Sequence, residues 1–263
     1  IFRHMDFDTR IAGFADFVGR KKYLYDDNGH GTHVAGIIAG SGKGSNGKYR
    51  GIAPDTFLVS VKVLDKSGNG KIENVVEAAG WIIENKSAMN IRVVNISFGT
   101  RAKMENGPAI ETGEDDYALI MAVEKMWDSG IVVVAAAGNN GPGNASVTAP
   151  GISKKIITVG AFDDKNFFSG RGPTRECIVK PEVVVTGSNI IACNNRQGRY
   201  SSKSGTSMAA PVVSGAVARL IKNNPDITPK EVKIWMKSCC KKINVPSEKQ
   251  GWGVLDIRKF VTG

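Results

Sequence analysis

TFLVSVKVLDKSGNGKIENVVEAAGWII, residues 56–83, changes its hydrophobic period once along its length. Thr56 to Leu64 is apolar and rich in β-branched residues, which predicts a buried strand. Asp65 to Gly70 are turn formers. Ile72, Val75, Val76, Ala79, Ile82 and Ile83 then recur at the spacing of one helix face. Downstream the pattern repeats: strand Ile91–Ser97 (IRVVNIS), helix Asp116–Trp127, a fully apolar strand Ile131–Ala137 (IVVVAAA) and another at Ile156–Ala161. Apolar strands alternating with amphipathic helices predict an α/β fold of three layers, a mainly parallel central sheet with helices on both faces. After residue 178 the pattern shifts to short extended segments, Val179–Val185 and Asn189–Cys193, and then to helices at Thr206–Asn223 and Pro229–Ser238. Thr228 before Pro229, with Glu231 three positions on, is a helix start signal. No repeat or dividing linker interrupts residues 1–263, so one domain is expected.

Composition narrows the function classes. The chain has 263 residues, 35 Lys+Arg against 25 Asp+Glu, and a formal charge of +10. The excess is dispersed in pairs such as Lys21-Lys22, Lys154-Lys155 and Lys241-Lys242, without an Arg-rich arm or interleaved aromatics, so it reads as a solvated surface and not as a nucleic-acid interface. No apolar run reaches the roughly 18 residues of a membrane helix, and no membrane partner is expected. Four cysteines are too few for a disulfide scaffold; they read as free thiols, which favours a reducing, cytoplasmic setting.

Three segments carry chemistry. Asp27-Asn28-Gly29-His30-Gly31-Thr32-His33-Val34-Ala35-Gly36 holds two of the three histidines, at the start of a small-residue helix. They read as structural, as catalytic, or as metal ligands, although no third ligand stands at metal spacing. Gly205-Thr206-Ser207-Met208-Ala209-Ala210-Pro211 opens another small-residue helix, where Ser207 is a space-filler, a cap or a nucleophile beside free amides. Ala135-Ala136-Ala137-Gly138-Asn139-Asn140-Gly141-Pro142 ends a buried strand on asparagine, a turn residue or an amide donor for an oxyanion.

Together and in this order, HGTHVAG, AAAGN and GTSMAAP resemble the signature regions of the subtilisin-like serine peptidases, or subtilases, and residues 45–51 (SNGKYRG) with FSGRGPT look most like those of intracellular bacterial members. The resemblance implies a serine endopeptidase acting on proteins or peptides, with His30 as general base, Ser207 as nucleophile and Asn139 as oxyanion donor. It makes His33 structural. It implies substrate-binding edges at Gly68-Asn69-Gly70 and Ser97-Phe98-Gly99, with Ala136 and Gly138 in a pocket wall. Phe168–Thr174 (FSGRGPT) and Lys180-Pro181-Glu182 resemble structural segments of the family. A more distant rival is an α/β-hydrolase esterase, a class that places its serine before its histidine and inside Gly-x-Ser-x-Gly, unlike this chain. The rival within the resemblance is a pseudoprotease that binds peptides without cleaving them.

One member is missing. His4-Met5-Asp6-Phe7 fits the segment that follows the family's acid turn, so the triad aspartate is expected just upstream of Ile1, with the chain read as truncated there. A cleaved N-terminal segment or a propeptide is then an expected partner. Asp26 and Asp27 precede His30 closely, but the resemblance puts both on a surface loop. No cofactor is required for the chemistry. In relatives the Asp6 position can serve calcium, while Ser41–Arg50 matches the calcium loop poorly, so calcium stays open. The acidic stretch Glu111–Asp116 reads either as a lure for basic substrate residues or as a solvated loop.

Overall fold

A computed structural model describes residues 1–100 and 113–262. The elements run β1 (Ile11–Asp16), α1 (His30–Ala39), β2 (Leu58–Lys62), α2 (Ile72–Asn85), β3 (Val93–Ile96), α3 (Glu114–Asp128), β4 (Val132–Ala136), β5 (Ile157–Ala161), β6 (Val183–Val185), β7 (Ile190–Cys193), β8 (Tyr200–Lys203), α4 (Thr206–Asn223), α5 (Pro229–Ser238), β9 (Cys240–Lys241), α6 (Ser247–Gln250), β10 (Val254–Leu255) and α7 (Ile257–Thr262). The three layers meet on β4. Val132, Val134 and Ala136 face a cluster built with Val213, Ala216 and Val217 of α4, whereas Val133 and Ala135 face Ala79 and Ile82 of α2 and Val123 and Met126 of α3. A strand buried on both faces must be apolar at every position, and β4 is fully buried throughout.

The central sheet is parallel but interrupted. β3, β4, β5, β6 and β10 run parallel, with β9 antiparallel at the far edge. β1 and β2 form a separate parallel pair, and among the described residues no strand joins β2 to β3. Instead a cavity of about 1480 Å³ runs between them, lined by Val59 and Val61 of β2, Val94 and Ile96 of β3, and Ala79 and Ile82 of α2. The mainly parallel central sheet expected from the sequence is present, and the slot separates it from the β1–β2 pair. Ile1 lies along the slot, its terminal nitrogen donating to Ser60 Oγ at 3.2 Å.

Thr228 and Glu231 form the expected capping box on α5, Glu231 N donating to Thr228 Oγ1 at 3.3 Å and Thr228 N to Glu231 Oε2 at 2.9 Å. The extended run expected from Val179 begins only at Val183, because Pro181 has no N–H to give a ladder and its neighbours are engaged in an ion pair. There the fully buried Lys180 Nζ donates to Glu182 Oε1 at 2.7 Å. All four cysteines are free thiols. Of the acidic stretch, Glu111 and Thr112 lie outside the described residues; Glu114, Asp115 and Asp116 form the first turn of α3, where the helix dipole favours negative charge.

Candidate active site

Ser207 owes its setting to the residues on either side of it. Gly205 before it adopts φ +144°, a conformation that side chains exclude, and a Cβ there would lie 3.2 Å from the Asn139 amide nitrogen. Pro211, four residues after it, lacks the N–H that would bond the Ser207 carbonyl inside α4. Ser97 Oγ takes that place, donating to Ser207 O at 2.9 Å, and Ser207 Oγ donates back to Ser97 O at 3.0 Å. Behind this reciprocal pair, Asn95 Nδ2 donates to Ser97 Oγ at 2.8 Å, and Ser214 Oγ donates to Asn95 Oδ1 at 2.9 Å. The end of β3 is therefore bolted to the first turn of α4.

Asn139 is held beside the same turn. Its Oδ1 accepts from Thr206 N at 3.0 Å and from Thr206 Oγ1 at 3.1 Å. With the oxygen so occupied, the amide nitrogen remains to act as a donor, on an exposed residue. Thr206 Oγ1 also accepts from Gly138 N at 3.1 Å, so one buried hydroxyl fixes both the strand end and the asparagine. Gly138 has φ +90°, and a Cβ there would lie 2.6 Å from Thr148 Oγ1. Segment 168–170 buttresses this turn through Gly141 N to Phe168 O and Gly170 N to Gly138 O, both 2.9 Å, which is the structural use of the FSGRGPT stretch. In the first turn of α4, the Ser207 N–H has no intrahelical partner.

His30 begins α1. The helix start is held by Asp26, whose carboxylate accepts from Asn28 N, Gly29 N, Thr32 N and the Thr32 hydroxyl, at 2.5–3.0 Å. Asp26 is therefore half-buried and spent on backbone amides, whereas Asp27 is exposed and paired with Lys62 at 2.8 Å. Neither bonds the His30 ring. Burial lowers the His30 pKa below the usual imidazole range, the Lys203 cation adds to that, and Asp26 opposes it. His30, Gly68, Ser97 and Phe98 line the one slot, which connects the histidine to the strand end that holds Ser207. Among the described residues no hydrogen bond joins Ser207 to His30.

His33, one turn on, is fully buried, and its Nε2 lies 3.1 Å from Ile190 O and 3.0 Å from Ser201 O. It pins α1 to the β7–β8 hairpin, which favours the structural reading over the metal one. Gly68, Asn69 and Gly70 lie in a tight turn anchored by Asp65, whose carboxylate accepts from Ser67 N and Asn69 N. Phe98 is half-buried against both neighbouring clusters, and Gly99 is exposed beside Thr148. Ala136 turns its methyl into the core against α4, so this position has only backbone to offer a ligand. Asn95, Thr206 and Lys203 escaped the sequence reading. An asparagine inside the otherwise apolar IRVVNIS was the available signal for the first.

The Asp6 region does not suit calcium. Calcium takes six to eight oxygen ligands, whereas Asp6 is surrounded by donors. Gly42 N, Gly44 N and the Tyr200 hydroxyl reach its carboxylate at 2.9–3.2 Å, and Cys193 Sγ at 3.5 Å. His4, Asp6 and Cys193 bring ligand atoms within 4.8 Å of one another. His4 Nδ1 is nevertheless taken by Asp6 N at 3.2 Å.

Comparison with known proteins identifies the family. Residues 3–253 match the model of the subtilase family. The chain is 42% identical over 265 residues to serine protease AprX of Bacillus subtilis, covering 90% of this chain and 58% of that protein, so it spans little more than half of AprX. It is 35% identical over 228 residues to subtilisin DY of Bacillus licheniformis, covering 86% of this chain and 75% of the other. Among solved structures, a cold-adapted subtilisin-like serine proteinase superposes with a TM-score of 0.76 at 31% identity, over 96% of this chain and 82% of that one. By its family match, its relatives and its fold, this chain belongs to the subtilase family.

Proposed function

We propose that the chain is the catalytic part of a serine endopeptidase acting on proteins or peptides. The observation that carries this reading is the anchoring of Asn139 on Thr206, with its amide nitrogen left to donate next to Ser207. An amide aimed beside a helix N-terminus is a site for the negative charge that develops when a hydroxyl attacks an acyl carbon. Ser207 Oγ forms the bond to the scissile carbonyl, and His30 takes its proton and returns it to the leaving amine. Asn139 and the Ser207 N–H hold the oxyanion.

In the described state the Ser207 hydroxyl donates to Ser97 O. A substrate backbone pairing with the Ser97–Gly99 edge claims that carbonyl with its own N–H, which frees the hydroxyl for His30. The acid comes from a strand entering the slot between β2 and β3. Such a strand satisfies two open ladder edges at once and brings a carboxylate to His30, which opens onto the same slot. Residues upstream of Ile1, a cleaved N-terminal segment or a propeptide are the sources this reading offers, because the Ile1 nitrogen already sits on Ser60 of β2.

The second reading, a family member that binds peptides without cleaving them, is favoured by one observation. Among the described residues no carboxylate accepts from His30. A fluorophosphonate probe separates the two. The chain carrying its native upstream residues is expected to label at Ser207, and Ser207→Ala or His30→Ala abolishes labelling. An unlabelled protein with native circular dichroism would favour the binding-only reading.

A further inference from the structure

Asn95 is an amide in an otherwise apolar strand, and it stands in the middle of a chain of hydrogen bonds that ends on the carbonyl of the candidate nucleophile. Ser214 Oγ of α4 donates to Asn95 Oδ1 at 2.9 Å, Asn95 Nδ2 donates to Ser97 Oγ at 2.8 Å, and Ser97 Oγ donates to Ser207 O at 2.9 Å. Ser214 and Ser97 are buried and Asn95 is half-buried. All three border the slot between β2 and β3.

Hydroxyl and carboxamide groups both donate and accept, so this chain has two self-consistent directions. In the described one every bond runs toward Ser207. In the reverse one the Asn95 amide is turned over: Nδ2 donates to Ser214 Oγ, the Ser214 proton goes to Ala210 O, 3.1 Å away, and Ser97 Oγ donates to Asn95 Oδ1. Both directions make the same number of bonds, but the reverse one leaves the Ser207 carbonyl without its donor. Pro211 has no N–H to replace it. The unpaired carbonyl is what disfavours the reverse direction.

The direction matters once substrate arrives. In the described state two bonds tie Ser207 to Ser97, because Ser207 Oγ also donates to Ser97 O at 3.0 Å. On the proposed reaction path the substrate claims Ser97 O and the Ser207 hydroxyl turns to His30. The bond from Ser97 Oγ to Ser207 O is then what remains of the pair. We infer that Asn95 is a positioning residue: it keeps the Ser97 hydroxyl donating to Ser207 O and so fixes the Ser207 backbone, whose N–H holds the oxyanion, during attack. The inference rests on the peptidase reading and adds a residue that acts only through Ser97.

The test uses the chain carrying its native upstream residues and a fluorogenic peptide. Asn95→Asp keeps the shape but accepts without donating, so it draws the Ser97 proton away from Ser207 O. Asn95→Leu removes the amide without supplying a rival acceptor. Asn95→Asp is expected to lower kcat about 2- to 12-fold, the worth of one net hydrogen bond, with KM nearly unchanged. Asn95→Leu lowers kcat less. A packing role predicts the opposite order, since Asp is the closer match in volume. Ser97→Ala deletes the hydroxyl and is slowed to a similar extent; adding Asn95→Asp to it changes kcat by less than about twofold. A negative charge acting directly on the site would slow both backgrounds alike. An Asn95→Asp protein as fast as the unsubstituted one, a slower Asn95→Leu, or an undiminished Asn95→Asp effect in the Ser97→Ala background overturns the inference and leaves the peptidase reading intact. If the unsubstituted protein cleaves no peptide and Ser207 stays unlabelled by fluorophosphonate, the peptidase reading fails and the inference falls with it.

Discussion

Thr206→Val tests whether the asparagine beside Ser207 works because it is held still. The substitution keeps side-chain volume and removes one hydroxyl, which is fully buried and serves two partners. It accepts from Gly138 N at 3.1 Å and donates to Asn139 Oδ1 at 3.1 Å. Leaving the half-buried Gly138 N–H unpaired costs at most about 1–3 kcal/mol, which a domain of ordinary stability, about 5–15 kcal/mol, survives. The effect on turnover follows separately. Complete loss of one oxyanion donor costs about 2.7–4 kcal/mol, a magnitude known from subtilisin itself and carried over to this relative. The valine variant leaves Asn139 one of its two anchors, the Thr206 N–H at 3.0 Å. About half the donor's contribution, 1–2 kcal/mol, is then lost, and kcat falls about 5- to 30-fold. KM stays near its original value, because the amide acts on charge that exists only in the transition state. Asn139→Leu sets the ceiling at about 10²–10³-fold, and Thr206→Ser, which restores the hydroxyl, recovers most of the rate. Steady-state kinetics and urea unfolding of the four proteins separate the effects. A valine variant that is destabilised yet turns over at full rate would show that Thr206 is merely structural, and a serine variant as slow as valine would refute the anchoring argument.

Two further outcomes are expected. Burial pushes the His33 pKa down to about 4, below its unfolded value near 6.5, so as pH falls through that window the unfolded chain takes up a proton that the folded chain refuses. Stability is then lost on acidification by up to about 3 kcal/mol, and denaturant midpoints that fall no more steeply than those of His33→Gln would contradict this. Because Asp6 is satisfied by N–H, O–H and S–H donors, excess EDTA should leave the melting temperature unchanged; a fall of several degrees that calcium reverses would show that the Asp6 region binds the ion after all.

The layers were legible in the sequence because burial on both faces leaves β4 no polar position and β5 only the hydrogen-bonded Thr158, and gives α2 a one-sided stripe. β1 was not legible. Its IAGFAD carries a glycine and few branched residues, and it becomes a strand through pairing with β2. β8, YSSK, likewise owes its extension to register with β7 and to the His33 ring beneath it. At the candidate site, the motifs named Ser207, His30 and Asn139, but what positions them is spread over residues that no local pattern marks. The Pro211 gap that hands the Ser207 carbonyl to Ser97 can be anticipated from helix geometry, yet the identity of the replacement donor depends on where β3 ends. Asp26 lies in the loop the resemblance implied but is half-buried, because a carboxylate just ahead of a helix start finds free amides there and is drawn in by them.

The interrupted sheet ties stability and chemistry to a single element. The edges of β2 and β3 that face each other carry ladder donors and acceptors along an apolar slot lined by Ala79, Ile82, Val61 and Val94. Each group shielded there without a partner costs about 1–3 kcal/mol, so only a segment that brings its own peptide groups closes the gap; apolar collapse alone would bury the edges unsatisfied. Parallel strands on either side dictate an extended occupant with apolar side chains on both faces. At the end where the slot reaches His30, a polar residue becomes tolerable, because the cavity there opens beside Asp26, Gly68 and Ser97. The occupant demanded by backbone hydrogen bonding is therefore also the one able to deliver an acid to the imidazole. On the proposed peptidase reading, repair of the sheet and supply of an acid to His30 are the same event.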